Sequence, residues 1–234
     1  MRSRRSFVPT VWCAALALAV TTGTPAGAGA QGAVSGQVSL LERPGERSTD
    51  LANAVIYLEP AVPARVSADE TAGAQIAMLE RQFLPHVVLV SPGSSVSFPN
   101  RDGFSHNIFS NTPGAAFDLG LYGRGEARSA LFKRAGVHPV YCNIHARMSG
   151  YVVVVSTPHR AQAGVDGRWT IEGVPAGRYV AHFWHERAAE QTRELVVPRE
   201  GAADVDARLD ARGYRATPHK NKFGQDYTKG KDRY

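Results

Sequence analysis

The chain has 234 residues, 43% of them hydrophobic, and a formal net charge of +6. That length and apolar content suffice for one large domain or two small ones with packed cores, and they exclude collagen-like, disordered and multi-pass membrane proteins. Its two cysteines cannot build a disulfide framework.

The start is basic (Arg2, Arg4, Arg5), runs through an apolar stretch over 11–20 and closes on Ala28-Gly29-Ala30. This is the pattern of a secretory signal peptide over 1–30, cleaved before Gln31. The apolar run is too short to cross a bilayer comfortably, and Cys13, preceded by Thr10-Val11-Trp12, does not read as a lipoprotein cysteine. The expectation is a mature protein from residue 31, periplasmic or secreted, with no transmembrane segment after cleavage. Charge is uneven along it. Residues 211–234 carry seven Lys/Arg against two Asp, whereas 31–210 carry 17 Lys/Arg against 19 Asp/Glu. The basic character therefore belongs to a C-terminal tail. A body without a basic face, in an exported chain, argues against nucleic acid as a partner. The tail suits contact with an anionic surface or an acidic redox partner, or simply solvation.

Beyond residue 31 the recurring pattern is short β-branched runs with turn punctuation, which predicts an all-β sandwich or Greek-key barrel. Strands are expected over 34–41, 54–58 and 83–90. A Pro92-Gly93 turn separates the last of these from strands over 95–98 and 106–110. Further strands are expected over 128–132 and 137–141, and an apolar, buried one over 151–155. Asp166-Gly167 reads as a hairpin turn before Trp169-Thr170-Ile171. Pro175-Ala176-Gly177 turns into a strand over 179–184, and the last lies over 193–198. A short helical turn is expected near 75–81. The tail should be extended, pinned by Tyr214, Phe223 and Tyr227.

Residues 139–150 read PVYCNIHARMSG, placing Cys142, His145 and Met148 at C-x2-H-x2-M spacing in the loop between two expected strands. His106 stands 36 residues upstream at the head of another strand. Singly, Met148 reads as packing, His145 as a solvated loop residue and Cys142 as an inert buried thiol. Together, a thiolate, two imidazoles and a thioether form the ligand set of a mononuclear copper site, with two His and one Cys in a plane and a weak axial Met. Thiolate and thioether suit the soft monovalent ion and imidazole serves both oxidation states. A rigid β scaffold then limits rearrangement between them. Cys142 is also the one cysteine left after cleavage, and a metal would protect its thiol in an oxidising compartment.

The segments FPNRDGFSHNIFS (98–110) and YCNIHARMSGYVVVV (141–155) resemble the cupredoxins, the type 1 blue copper proteins of amicyanin and plastocyanin type. The resemblance spans about 75–157. It implies one type 1 copper ion held by His106, Cys142, His145 and Met148. It also implies that Asn107 ties the ligand strand to the Cys loop beside the thiolate. Many cupredoxins have proline before the first His and between Cys and the second His; Ser105 and Ile144 stand at those places. Ile144 keeps an N–H that can reach the sulfur. A second resemblance lies in DGRWTIEGVPAGRY (166–179), with Gly36-Gln37-Val38 and Ala54-Val55-Ile56-Tyr57-Leu58 upstream. These are similar to the carboxypeptidase-regulatory-like, transthyretin-like sandwich. The layout is similar to exported bacterial proteins of methylamine-utilisation-like type. The expected organisation is a sandwich split into 31–61 and 158–210, a copper domain over 62–157 inserted between them, and the tail over 211–234.

The remaining histidines carry less. His182 and His185 are expected on opposite faces of one strand, His86 on a strand face, His138 ahead of the Cys strand, and His159 and His219 in loop and tail. No nucleophile elbow, P-loop or dinucleotide fingerprint occurs, and no His-x-His pairs of a multicopper oxidase are present. The expected function is an exported electron carrier between redox partner proteins, not an enzyme. The alternative is a copper-handling or docking module without electron turnover.

Overall fold

A computed structural model of the chain describes residues 31–62, 73–199 and 202–227. The secretory signal expected over 1–30 lies outside them. The fold is all-β, with one turn of 3-10 helix at Leu51–Asn53. In chain order the strands are β1 (Gln31–Leu41), β2 (Val55–Pro60), β3 (Ala77–Leu79), β4 (Gln82–Leu84), β5 (Val87–Val90) and β6 (Ser94–Pro99). Next come β7 (His106–Ser110), β8 (Phe117–Tyr122), β9 (Ala127–Phe132), β10 (Gly136–Cys142), β11 (Ser149–Val154) and β12 (Arg160–Gln162). The last are β13 (Arg168–Pro175), β14 (Gly177–Trp184), β15 (Gln191–Val197), β16 (Ala202–Asp204) and β17 (Ala207–Asp210).

Two sheets from the ends of the chain face each other. One has β1 at its centre, antiparallel to β13 and parallel to β16 and β17. The other runs β12-β2-β14-β15. Period-2 alternation on β13 and β14 turns Trp169 and Ile171, and Tyr179, Ala181 and Phe183, inward against Val34, Val38, Ile56 and Leu58.

The middle of the chain builds a second sandwich. A five-stranded sheet, β5-β11-β10-β7-β8, faces the β6–β9 pair and the β3–β4 hairpin, which hangs on β6 through bridges from Gln75 to Ser97 and Met78 to Asn100. Between them lie Ile76, Met78, Phe83, Val96, Phe98, Ile108, Phe132, Val140 and Val152. A third, smaller cluster joins the two sandwiches. Val55 and Trp184 of the outer one pack with Val87, Val153 and Val155 of the inner one, and Trp184 meets Tyr151 edge-on at 5.5 Å.

Several local expectations are corrected. Residues 75–81 form no helical turn: Gln75–Leu79 is extended, and Glu80 and Arg81 make a tight turn with φ of 53° and 57°. The expected strand over 83–90 is two strands broken at Pro85, which has no N–H to give a ladder. Asp166-Gly167 makes a turn (Gly167 φ 79°), but its flanking strands belong to different sheets: β12 pairs with β2, β13 with β1. β14 stops at Trp184, so His185 lies beyond it, fully buried. Within 212–227 no regular element forms, and Phe223 is 73% exposed and pins nothing to a core.

Candidate metal centre

The centre lies where β7 and β10 run side by side. Register sets Cys142 opposite Ile108 and Tyr141 opposite Phe109. Along β10 the inward positions are His138, Val140 and Cys142, so the sheet's alternation aims the thiol into the core. All five residues of β7 are buried, and His106 at its head has no solvent exposure. After Cys142 the chain turns through 143–148 into β11. The Cys142 N–H donates to the Met148 carbonyl (3.1 Å), the Met148 N–H to the His145 carbonyl (3.0 Å), and the Asn143 N–H to the Asn107 carbonyl (2.8 Å). These bonds fold the loop so that His145 returns beside Cys142.

The structure brings together His106, Cys142 and His145, all buried, with their donor atoms within 4.8 Å of one another. The Sγ atom of Cys142 is 3.5 Å from Nδ1 of His106 and 3.4 Å from Nδ1 of His145. A metal ion with bonds of about 2.3 Å to sulfur and about 2.0 Å to nitrogen would set those edges at about 3.5–3.8 Å. The residues present therefore fit one ion. Met148 is 1% exposed and shares the core cluster of Cys142, with its main chain closing the ligand loop.

The surroundings suit the ligand forms. Burial pushes the Cys142 thiol above its ordinary pKa, opposed by the N–H groups of Ile144, Asn107 and His145 directed at the sulfur. Metal binding would displace that proton, and the three N–H groups would then hold the thiolate. Asn107 serves the sulfur through its main chain; its side-chain amide donates to Asp118 instead (2.5 Å). Burial lowers the pKa of His106, against the pull of Asp102, which keeps its imidazole neutral and able to ligate. Phe104 packs against both imidazoles, tilted to His106 at 5.2 Å and edge-on to His145 at 5.6 Å.

Asp102 was not among the residues the sequence singled out. Its carboxylate is 2.8 Å from Nε2 of His106, the ring nitrogen turned away from the thiol, and is itself 6% exposed. It accepts the N–H groups of Glu80 (2.6 Å) and Arg81 (3.1 Å) from the β3–β4 turn. The side chain of Asn100 accepts the Asp102 N–H and donates to the carbonyls of Phe104 and Tyr122. A carboxylate on the outer nitrogen of a ligating histidine fixes ring and tautomer and raises its basicity. The signal available beforehand was an acid four residues ahead of the candidate ligand.

The other histidines stay apart. His138 bonds the Arg134 carbonyl (2.8 Å), His86 pairs with Glu186 (2.8 Å), and His182 lies between Glu190 and Glu59 while stacking on Tyr57. His219, expected as a plain tail residue, sits against the ligand loop: its Nε2 is 3.1 Å from the His145 carbonyl.

No protein-family model and no curated protein matches this chain. Among solved structures it is similar to a purple cupredoxin from Nitrosopumilus maritimus, at 26% identity over 35% of this chain and 99% of that one, with a TM-score of 0.32. It is also similar to the amicyanin of Paracoccus versutus, at 24% identity over 42% and 98% of the two chains (TM-score 0.33). A reduced amicyanin variant matches at 25% identity over 44% and 99%, with a TM-score of 0.34.

Proposed function

We propose that this chain is an exported, periplasmic or secreted type 1 copper protein that carries single electrons between redox partner proteins. The observation that carries the reading is the buried triangle of Cys142 Sγ with the Nδ1 atoms of His106 and His145, at 3.5 and 3.4 Å. Copper bound there would supply a one-electron couple. His106, Cys142 and His145 would hold it, together with the thioether of Met148. Asp102 orients His106, the three N–H groups hold the thiolate, and two sandwiches sharing an apolar seam keep the donors from rearranging on redox. Phe104, Leu121, Ile144 and Tyr227 surround His145 in a mostly apolar recess, through which a partner would approach its imidazole. The reading is of a carrier and not an enzyme. The outer sandwich is read as a carboxypeptidase-regulatory-like docking module, and the basic tail as the contact for an acidic or anionic surface.

The test is titration of the metal-free protein with Cu(II). One equivalent should bring up an intense thiolate-to-copper visible band that Cys142→Ser abolishes. A wild type that stays colourless overturns the reading. Fast, reversible voltammetry separates electron transfer from the second reading, a copper-handling module. That second reading is motivated by the outer sandwich and the basic tail as docking surfaces, and it expects a slow, irreversible response with easy metal loss.

A further inference from the structure

The last described stretch of the chain returns to the metal loop. Beyond β17, residues 211–227 have no regular structure, yet they cross the loop that carries Cys142 and His145. The His219 N–H donates to the Ala146 carbonyl (3.0 Å) while its Nε2 lies 3.1 Å from the His145 carbonyl. The Lys222 N–H donates to Oδ1 of Asn143 (2.9 Å), and the Tyr227 hydroxyl to the carbonyl of Cys142 (3.0 Å). The His219 ring packs on Tyr141 (4.6 Å) and Tyr227 (5.4 Å), and Lys222 Nζ reaches Asp118 on β8 at 2.5 Å.

Cys142, Asn143, His145 and Ala146 thus each give an acceptor to a segment some 73 to 85 positions away. Cys142 is fully buried and His145 is 7% exposed. A reagent or a competing ligand can reach the sulfur only if the loop swings outward. That local opening must break the bonds to the tail.

We propose that residues 214–227 form a clasp, with His219 and Tyr227 as positioning residues that hold the ligand loop shut over Cys142. The clasp slows attack on the thiol in the metal-free protein and slows loss of the metal from the loaded one. Its metal arm rests on the copper reading above; its thiol arm does not.

The experiment uses the full chain without metal. Iodoacetamide alkylates the thiolate with loss of iodide, and peptide mass mapping reads Cys142 separately from Cys13. Tyr227→Phe removes one hydroxyl and should speed alkylation of Cys142 about fivefold, the effect of one lost hydrogen bond. His219→Ala with Tyr227→Phe should speed it by tens of fold. His219→Gln, which keeps a donor for the His145 carbonyl, should restore most of the protection. In copper-loaded protein the same variants should speed transfer to excess chelator by similar factors, with the visible band kept. Unchanged alkylation in the double variant, with wild-type circular dichroism and melting temperature, overturns the clasp. If the double variant unfolds, Tyr227→Phe decides alone, and a wild-type rate there overturns it equally. Protection lost on mutation in a protein that never binds copper would sink the metal reading and support the clasp.

Discussion

On the proposed copper reading, two groups beside the candidate ligands would act on the redox couple in opposite directions. Asp102 places a buried negative charge 2.8 Å from the outer nitrogen of His106, and a nearby anion favours the more positive, oxidised metal. Asp102→Asn keeps the shape and removes the charge. In the copper-loaded protein it should raise the reduction potential, by about 60 mV for each tenfold loss of oxidised-state over reduced-state affinity. Ile144 gives the sulfur an N–H that a proline at this place would lack. Ile144→Pro should make the thiolate a stronger donor and lower the potential, by up to about 60 mV for a tenfold change in relative affinity. Voltammetry on both variants checks the signs, and shifts of the same sign would refute the assignment. That Cys142 and His145 lie together was legible because one short loop spaced them, and His106 was picked out because it opened a recognisable strand. Asp102 was not, since its partners Glu80 and Arg81 come from a hairpin read in the sequence as a helical turn.

At the scale of elements, pairing overruled local pattern wherever the two competed. Apolar residues crowded over 76–79 suggest a helical face, but bridges from Gln75 and Met78 to β6 draw the segment out. β8 escaped notice because Gly120 interrupts its alternation; its place is set by pairing with β7. The parallel pairing of β16 with β1 is equally invisible in sequence. It depends on Gly36, where an added Cβ would lie 2.1 Å from the carbonyl oxygen of Val205 and 3.1 Å from the Trp169 ring. Backbone cannot yield as a side-chain tip can. Gly36→Ala should therefore cost about 2 kcal/mol, seen as a lower urea midpoint with an unchanged slope. A midpoint equal to wild type would mean that the β1–β16 contact is dispensable.

Over the whole molecule, ion pairs tie the loops flanking the outer sandwich and link it to the inner one. Arg187 bonds Glu42 and Asp50, and Glu186 bonds His86 across the seam. The Arg187 hydrogen bond holds the Glu42 carboxyl below its ordinary value of 4.5. Burial pushes Glu186 up, but the hydrogen bond from His86 and the charges of His86 and His185 outweigh it and hold it low as well. A carboxyl whose pKa is depressed by folding stabilises fully above its unfolded value, and the stabilisation is lost as pH falls through the folded one. Melting temperature should therefore fall steeply below about pH 4.5. Glu42→Gln should start lower at neutral pH and decline less over that range. A melting curve flat from pH 6 to pH 3 would contradict this.

The sequence alone determined the all-β class, the candidate donor types and their loop spacing, because period-2 alternation and a three-residue ligand spacing are local properties. It also showed where the basic residues lie. Only tertiary structure decided that Nδ1 of His106 meets the thiol of Cys142 across the β7–β10 register. The same holds for Asp102 behind that imidazole, and for a tail without secondary structure bonded to the ligand loop. The first and last of these contacts join residues far apart in the chain, and Asp102, though only four residues from His106, is fixed there by N–H groups of the distant β3–β4 turn; no local pattern encodes such pairing.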